Sequence, residues 1–232
     1  MRVIDKDSIA VIQSKSADNL ILIDKPEYWS SFDVVKKIRY LTRIKKVGHG
    51  GTLDPFATGL LILGTGKETK ALSQISSSTK EYIATIEFGT TTDTFDITGS
   101  VTKEVAVKEP IEIKPILESF RGESKQIPPM FSAKKINGKR LYKIARKGIE
   151  VERKTQNINI FEIDLLDDDG SNIDIFVKCS KGTYLRTLAN DIGIKSGYGA
   201  YLKKLRRVAI DNYTIKKALT VGEFDEYWKS LH

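Results

Sequence analysis

The segment Ile158-Asn159-Ile160-Phe161-Glu162-Ile163-Asp164-Leu165-Leu166-Asp167-Asp168-Asp169-Gly170-Ser171-Asn172-Ile173-Asp174-Ile175-Phe176-Val177 reads as two strands joined by a turn. Ile158, Ile160 and Phe161 to Leu165 form the first strand. Asp167 to Gly170 supply turn residues, and Ile173 to Val177 form the partner strand. Working outward, Tyr82 to Phe88 alternates with period two: Tyr82, Ala84, Ile86 and Phe88 fall on one side, Ile83, Thr85 and Glu87 on the other. Leu20-Ile21-Leu22-Ile23, closed by Asp24-Lys25-Pro26, reads as a short buried strand. Thr90 to Ser100 reads as a polar loop.

Helical patterns lie between these strands. Ser30 or Ser31 is placed to cap a helix with the apolar stripe Val34, Val35, Ile38 and Leu41. Further helices are expected over Glu68 to Ile75, Ile111 to Phe120 and Leu141 to Ala145. Another, capped by Thr183, carries Leu185, Leu188, Ala189 and Ile192, and a last one starts at the capping-box pattern Thr220-Val221-Gly222-Glu223. Strands outnumber long helices, so the expectation is an α+β fold with a mixed, mostly antiparallel sheet flanked by helices.

The 232 residues suit one large domain or two small ones, and such a chain buries enough surface to need no staples. Cys179 is the sole cysteine, and His49 and His232 are the only histidines, so neither a disulfide framework nor a Cys/His zinc site is expected. The sequence has no apolar run of membrane-spanning length and no signal-peptide pattern at its start, which points to a cytoplasmic protein with no membrane partner.

The formal charge of +8 is unevenly placed. Residues 36–46 hold Lys36, Lys37, Arg39, Arg43, Lys45 and Lys46 with no acid. Residues 134–154 hold nine bases against Glu150 and Glu152, and Lys203, Lys204, Arg206 and Arg207 form a third cluster. Residues 161–175 hold only acids among their charged groups. Segregated bases of this kind suit a partner rich in phosphate, with Tyr142 and Phe131 available for stacking; the plainer alternative is a set of solvated faces. Acidic lipid fits less well, because no segment pairs these bases with a broad apolar face.

One stretch stands out for chemistry: Gly48-His49-Gly50-Gly51-Thr52-Leu53-Asp54-Pro55-Phe56-Ala57-Thr58-Gly59. It surrounds one carboxylate with glycines and hydroxyls, and Pro55 biases Asp54 away from the α region, holding it at a bend. Taken alone, Asp-Pro also simply starts turns. Other sites fail on spacing. Gly66-Lys67 lacks the phosphate-loop pattern, Gly48 to Gly51 lacks the dinucleotide pattern, and there is no Gly-x-Ser-x-Gly. What remains is carboxylate chemistry helped by Arg and Tyr, with no cofactor.

The same stretch resembles the catalytic motif of the TruB family of tRNA pseudouridine-55 synthases. Four further segments resemble the family's motifs in order: Leu22-Ile23-Asp24-Lys25-Pro26; Lys80-Glu81-Tyr82 with Thr92-Asp93-Thr94-x-Asp96-x-x-Gly99; Pro128-Pro129-Met130-Phe131-Ser132-Ala133-Lys134 with Gly138, Leu141-Tyr142, Ala145-Arg146 and Gly148; and Cys179 to Arg186 with Leu205-Arg206-Arg207. Together they cover about residues 20–210. The resemblance implies a pseudouridine synthase fold forming a single catalytic domain over residues 1–232, with an RNA-gripping insertion at 128–153. It also implies isomerisation of uridine in the TΨC stem-loop of tRNA, without metal or cofactor, by a protein expected to be a monomer.

Residue by residue, the resemblance implies that Asp54 is the nucleophile and Arg186 pairs with it. Tyr82 stacks on the target base and is a candidate for moving the C5 proton. Leu205 packs beneath the uracil, and His49 supports the loop once the base is flipped out. Lys25, Lys134, Lys139, Arg140 and Arg146 serve RNA binding. Two roles for Asp54 stay open: attack on the ribose, or abstraction of a ribose proton through a glycal. The sequence departs from the family pattern at Gly50, where many members have Thr, and the C-terminal PUA domain of longer members is expected to be absent. Competing readings are an RNA-binding protein with a vestigial loop and a guide-RNA-dependent synthase of the dyskerin branch. Intact Asp54, Tyr82 and Arg186 argue against the first, and the 128–153 insertion against the second.

Overall fold

The computed structural model describes residues 2–12, 14–132, 134–136, 138–145 and 148–231; the side chains of Lys135, Ile136, Lys139, Arg140 and Lys143 lie outside that description. In chain order the elements are β1 (Val3–Ile4), β2 (Leu20–Lys25), α1 (Ser31–Thr42), β3 (Val47–His49), β4 (Thr58–Thr65), α2 (Leu72–Ser77) and β5 (Lys80–Phe88). There follow β6 (Thr90–Thr92), β7 (Val101–Glu104), α3 (Ile113–Glu118), β8 (Gly122–Gln126), β9 (Lys135–Ile136), β10 (Lys139–Arg140), α4 (Leu141–Ala145), β11 (Gln156–Asp168) and β12 (Asn172–Cys179). The chain ends with α5 (Leu185–Ser196), β13 (Ala200–Ile210), β14 (Tyr213–Thr214) and α6 (Val221–Ser230). Residues form two compact units, Met1–Tyr82 with Leu205–His232, and Ile83–Lys204. The chain passes from one to the other inside β5 and returns inside β13.

In the first unit β2 and β4 pair antiparallel, from Leu20 opposite Gly64 to Lys25 opposite Gly59. β1 lies parallel to β2, and β13 lies parallel to β4 with Arg207 opposite Gly59. The runs Leu20–Ile23 and Leu60–Leu63 are apolar without alternation because both sheet faces are covered. Ile21, Ile23, Leu61 and Leu63 pack with Val34, Val35 and Ile38 of α1 and with Phe224, Tyr227 and Trp228 of α6. Leu20, Leu22, Leu60 and Ile62 pack with Leu72 and Ile75 of α2 and with Ile210. Full burial of each such side chain contributes about 1.5–3 kcal/mol. The expected capping box of Thr220 with Glu223 starts α6, and of the two candidate caps for α1 it is Ser30 that caps, in a capping box with Asp33.

In the second unit the expected hairpin is present as β11 and β12, with register shifts between Ile160 and Glu162 and between Leu165 and Asp167. β8 adds to β11 from Gln156 opposite Gln126 to Ile160 opposite Gly122. The β5 residues Ala84, Ile86 and Phe88 are buried, as the alternation requires. β6 pairs with β7, so the segment read as a polar loop begins as a strand.

Three local expectations are corrected. The helix expected over 111–120 is shorter, Ile113–Glu118, because Pro115 is tolerated only in a first turn and would clash with the carbonyl four residues earlier in a longer one. The segment from Glu68 begins as a 3₁₀ turn, Gly66–Lys70, with Thr69 Oγ1 donating to the Gly66 carbonyl at 2.8 Å, before α2 starts at Leu72. Thr183 does not cap α5. Its hydroxyl donates backward to the Ser180 carbonyl at 2.9 Å, and Tyr184 occupies the cap position with its N–H bound at 2.8 Å by the Gln126 side chain.

Candidate active site

The Asp54 loop leaves the first unit's sheet after β3 and rejoins it at β4. Gly50 N–H donates to the Ile62 carbonyl at 2.8 Å. The Leu60 carbonyl, two residues away and so on the same strand edge, accepts instead from Arg207 Nε at 2.7 Å. The same guanidinium donates to the Gly51 carbonyl at 3.1 Å and the Thr52 carbonyl at 3.4 Å. Arg207, 1 % exposed, thus ties the loop to the strand it departed from. It reaches this position because its backbone lies against Gly59, which has φ +105 and where any Cβ would sit 2.3 Å from the Arg207 carbonyl oxygen. Only glycine fits there.

Two more side chains grip the loop on either side of Asp54. Ser31 Oγ accepts from Leu53 N at 2.8 Å and donates to the Leu53 carbonyl at 3.1 Å. Lys25 Nζ, fully buried, donates to the carbonyls of Pro26 (2.8 Å), Trp29 (2.6 Å) and Pro55 (3.1 Å), one acceptor for each ammonium proton. Burial pushes the Lys25 pKa down to about 8; the Asp54 carboxylate opposes that shift and the Arg207 charge adds to it. His49 at the end of β3 is likewise held below its usual range, first by burial and then by the Arg207 charge, so its ring is neutral at neutral pH. The loop is therefore fixed at the backbone of residues 51, 52, 53 and 55 while Asp54 itself is half-buried.

Helix α2 covers the loop's first turn. A Cβ on Gly50 would lie 2.7 Å from Ile75 Cγ2, a branched methyl that cannot swing away, so Gly50 here is matched to Ile75. Lys80, two residues before Tyr82, closes the C-terminal end of α2 by donating to the carbonyls of Ile75 (3.1 Å), Ser76 (2.6 Å) and Ser78 (2.6 Å). Tyr82 and Leu205, each 8 % exposed, stand where the chain leaves and re-enters this unit.

In the second unit Arg186 sits in the first turn of α5 and is buried. It pairs with Asp96 at 3.3 Å and donates to the carbonyls of Thr94 (3.2 Å) and Phe131 (2.8 Å). Asp96 is itself positioned: Oδ1 accepts from Thr94 Oγ1 at 2.8 Å, Thr98 N at 2.9 Å and Thr98 Oγ1 at 2.5 Å. A buried pair satisfied this fully is rigid and charge-assisted. Lys134 is exposed and donates to Gln156 Oε1 at 3.3 Å. The side chains of Lys139 and Arg140, and all of Arg146, lie outside the described residues.

The structure therefore gathers Asp54, Lys25 and His49 in one unit and places Arg186 and Lys134 in the other. Sequence reasoning missed two residues. Arg207, taken as one of a basic surface cluster, is internal, and Asp96 anchors Arg186. The signal for the first is phase: Leu205, Arg207 and Ala209 are buried alternately along β13, whereas Arg206 faces outward and pairs with Asp24 at 2.6 Å. Among the described residues no group of three or more His, Cys, Asp or Glu is placed to hold a metal, and no helix is long and apolar enough to cross a membrane.

A family model described as TruB family pseudouridylate synthase (N terminal domain) matches residues 39–185. The chain is 44 % identical over 210 residues to a tRNA pseudouridine synthase B of Clostridium kluyveri, covering 90 % of this chain and 72 % of that protein. It is 44 % identical over 223 residues to the protein of the same name in Parabacteroides distasonis, covering 91 % and 93 %. It is also similar to a chain in the crystal structure of a Cbf5-Nop10-Gar1 complex, with a TM-score of 0.71 and 26 % identity over 91 % of this chain; it spans about half that chain's length, 54 %. With the family model matching well over half of its residues and these relatives matching most of its length, the chain belongs to the TruB family of pseudouridylate synthases.

Proposed function

We propose that this chain is a tRNA pseudouridine-55 synthase that isomerises uridine in the TΨC loop, with Asp54 as the reacting carboxylate. Family membership supports the reaction class, and the relatives' shared name supports tRNA as the substrate. The observation that carries the reading is the brace around Asp54: Arg207, Ser31 and Lys25 hold the backbone on both sides of one acid. A loop that only turned the chain would not need three buried groups from distant segments. Such preorganisation is what a reacting group requires.

The reaction breaks N1–C1′, turns the uracil and joins C5 to C1′, and overall a proton moves from C5 to N1. Oxidation state is unchanged, so no redox partner is called for. Asp54 meets the positive charge that develops at C1′, either as nucleophile or as base in a glycal route. Tyr82 stacks on the flipped base and is the candidate for handling the C5 proton, Leu205 packs beneath the uracil, and His49 supports the loop. Arg186 is assigned to orient Asp54, a role supported by the motif match and by a guanidinium already held in place by Asp96 and two carbonyls. Lys25 acts through the loop, and Lys134, Lys139, Arg140 and Arg146 serve the RNA backbone. A monomer working in the cytoplasm completes the reading.

Asp54→Asn is the test. It abolishes pseudouridine formation in a bare tRNA transcript, mapped by chemical labelling, while binding stays nearly intact. Undiminished turnover would sink the assignment.

A further inference from the structure

Helix α1 buries Val34, Val35 and Ile38, and its opposite face carries a stripe of a different kind. Phe32 is 52 % exposed and Tyr40 is 62 % exposed; between them, four residues from each, stands Lys36. Cations lie over both rings: Lys36 Nζ is 5.1 Å from the Phe32 centroid, Lys37 Nζ 5.9 Å and the Arg43 guanidinium 4.7 Å from that of Tyr40. Spacings of three and four residues put Phe32, Lys36, Tyr40 and Arg43 on one face. The helix's one acid, Asp33, is engaged in the capping box and also accepts from Lys36 Nζ at 3.4 Å, an exposed pair, and residues 36–46 contain no other acid. Arg39, the remaining base of the helix, donates to the Val47 carbonyl and so is not part of the stripe.

The turn before α1 and the helix C-cap are both conformationally costly. Tyr28, 76 % exposed, has φ 63, and Arg43 at the helix C-cap has φ 60. Large side chains are disfavoured in that left-handed region, and glycine or asparagine would serve the fold better. Tyr28 is held there by the turn that Lys25 closes through the Pro26 and Trp29 carbonyls, so a buried ammonium presents an aromatic ring to solvent. The visible gain to folding at these two positions is the contact of Arg43 with Tyr40.

We propose that the Tyr28–Phe32–Lys36–Tyr40–Arg43 face is a second RNA-contact surface, which stacks unpaired nucleotides on its rings and neutralises their phosphates with Lys36 and Arg43. It rests on the RNA-modifying reading above and extends it beyond the Asp54 loop and the 128–153 insertion. Aromatic rings interleaved with a surplus of cations fit unpaired RNA, whose bases stack without sequence choice. The length of α1, about 18 Å, leaves space for several nucleotides.

The test measures binding of an unmodified tRNA transcript by fluorescence anisotropy over a range of salt, in the Asp54→Asn background so that turnover plays no part. Tyr28→Gly with Arg43→Gly weakens binding by about tenfold, lowers the salt slope by about 0.7–0.9 and leaves the melting temperature unchanged or higher. Phe32→Ala with Tyr40→Ala weakens binding about tenfold with little change in slope, and stands in should the glycine pair fail to fold. Unchanged affinity in folded variants overturns the proposal. So does a loss confined to self-association or to binding of phosphatidylserine vesicles, since those outcomes assign the face to protein or lipid. The reaction reading is judged separately, by turnover of Asp54→Asn in the otherwise unaltered chain.

Discussion

Around Asp54, cations from distant parts of the chain are drawn inside: Lys25, Lys80 and Arg207 each donate to three backbone carbonyls, of the loop, of its cover or of the segments that flank them. In the insertion at 128–153 the described cations do otherwise. Lys134 is exposed and touches a single side-chain oxygen, and Arg153 pairs with Glu150 three residues away and reaches one carbonyl, of Pro128. The same residue types thus build a rigid loop in one place and, on the proposed reading, a surface for RNA in the other. A buried cation satisfied by carbonyls fixes geometry, whereas a solvated one is available to a partner.

That contrast is open to being broken. Arg207→Met removes three donors from behind the loop and should lower kcat by about 10²-fold, the usual penalty for misplacing a reacting group, while RNA affinity barely moves. Stopped-flow single-turnover assays below the melting transition measure the first and anisotropy the second; a change in affinity alone would put Arg207 among the RNA-binding residues after all. Lys25 sharpens the point through pH. With a pKa of about 8, its ammonium is the dominant form at pH 7 and gives way to the amine above pH 8, leaving two protons for three carbonyls. Turnover should fall along an alkaline limb centred near pH 8, and Lys25→Met should be slower yet show no such limb.

Smaller effects probe the opposite arm. Lys139→Ala with Arg140→Ala should weaken RNA binding several-fold and lower the log–log salt slope by about 0.7–0.9 per lost phosphate contact. A slope that stays put would deny the insertion its electrostatic role. Gly50→Thr should cost about 1–3 kcal/mol through overpacking against Ile75, seen as a lowered melting temperature, with most of the loss recovered in Gly50→Thr/Ile75→Ala. Failure of that rescue would mean that α2 does not set the loop's first turn.

The fold was largely legible where one interaction dominates. The β11–β12 hairpin followed from an Asp-rich turn between apolar runs, β5 from strict alternation, α1 from a serine cap before an apolar stripe, and α6 from its capping box. Legibility failed where side chains compete for the same backbone. Gln126 takes the N–H of Tyr184 and displaces Thr183 from the expected cap, and Pro115 shortens α3. At the site, Asp54 could be picked out because it stands in a glycine-rich stretch, whereas Lys25 and the role of His49 were reached through the resemblance to family motifs. Arg207 could not, since β13 carries Lys203, Lys204 and Arg206 beside it and only the alternation after Leu205 separates the inward base from its outward neighbours.

The bond from Arg207 to the Gly51 carbonyl joins residues 156 positions apart. A ribosome adding roughly 5–20 residues per second emits the Asp54 loop about 8–30 s before the arginine that braces it. During that interval the loop has its carboxylate but not its shape. On the proposed reading, competence is therefore conferred only once Arg207 has been added, and a nascent chain halted before it carries Asp54 without the brace behind its loop.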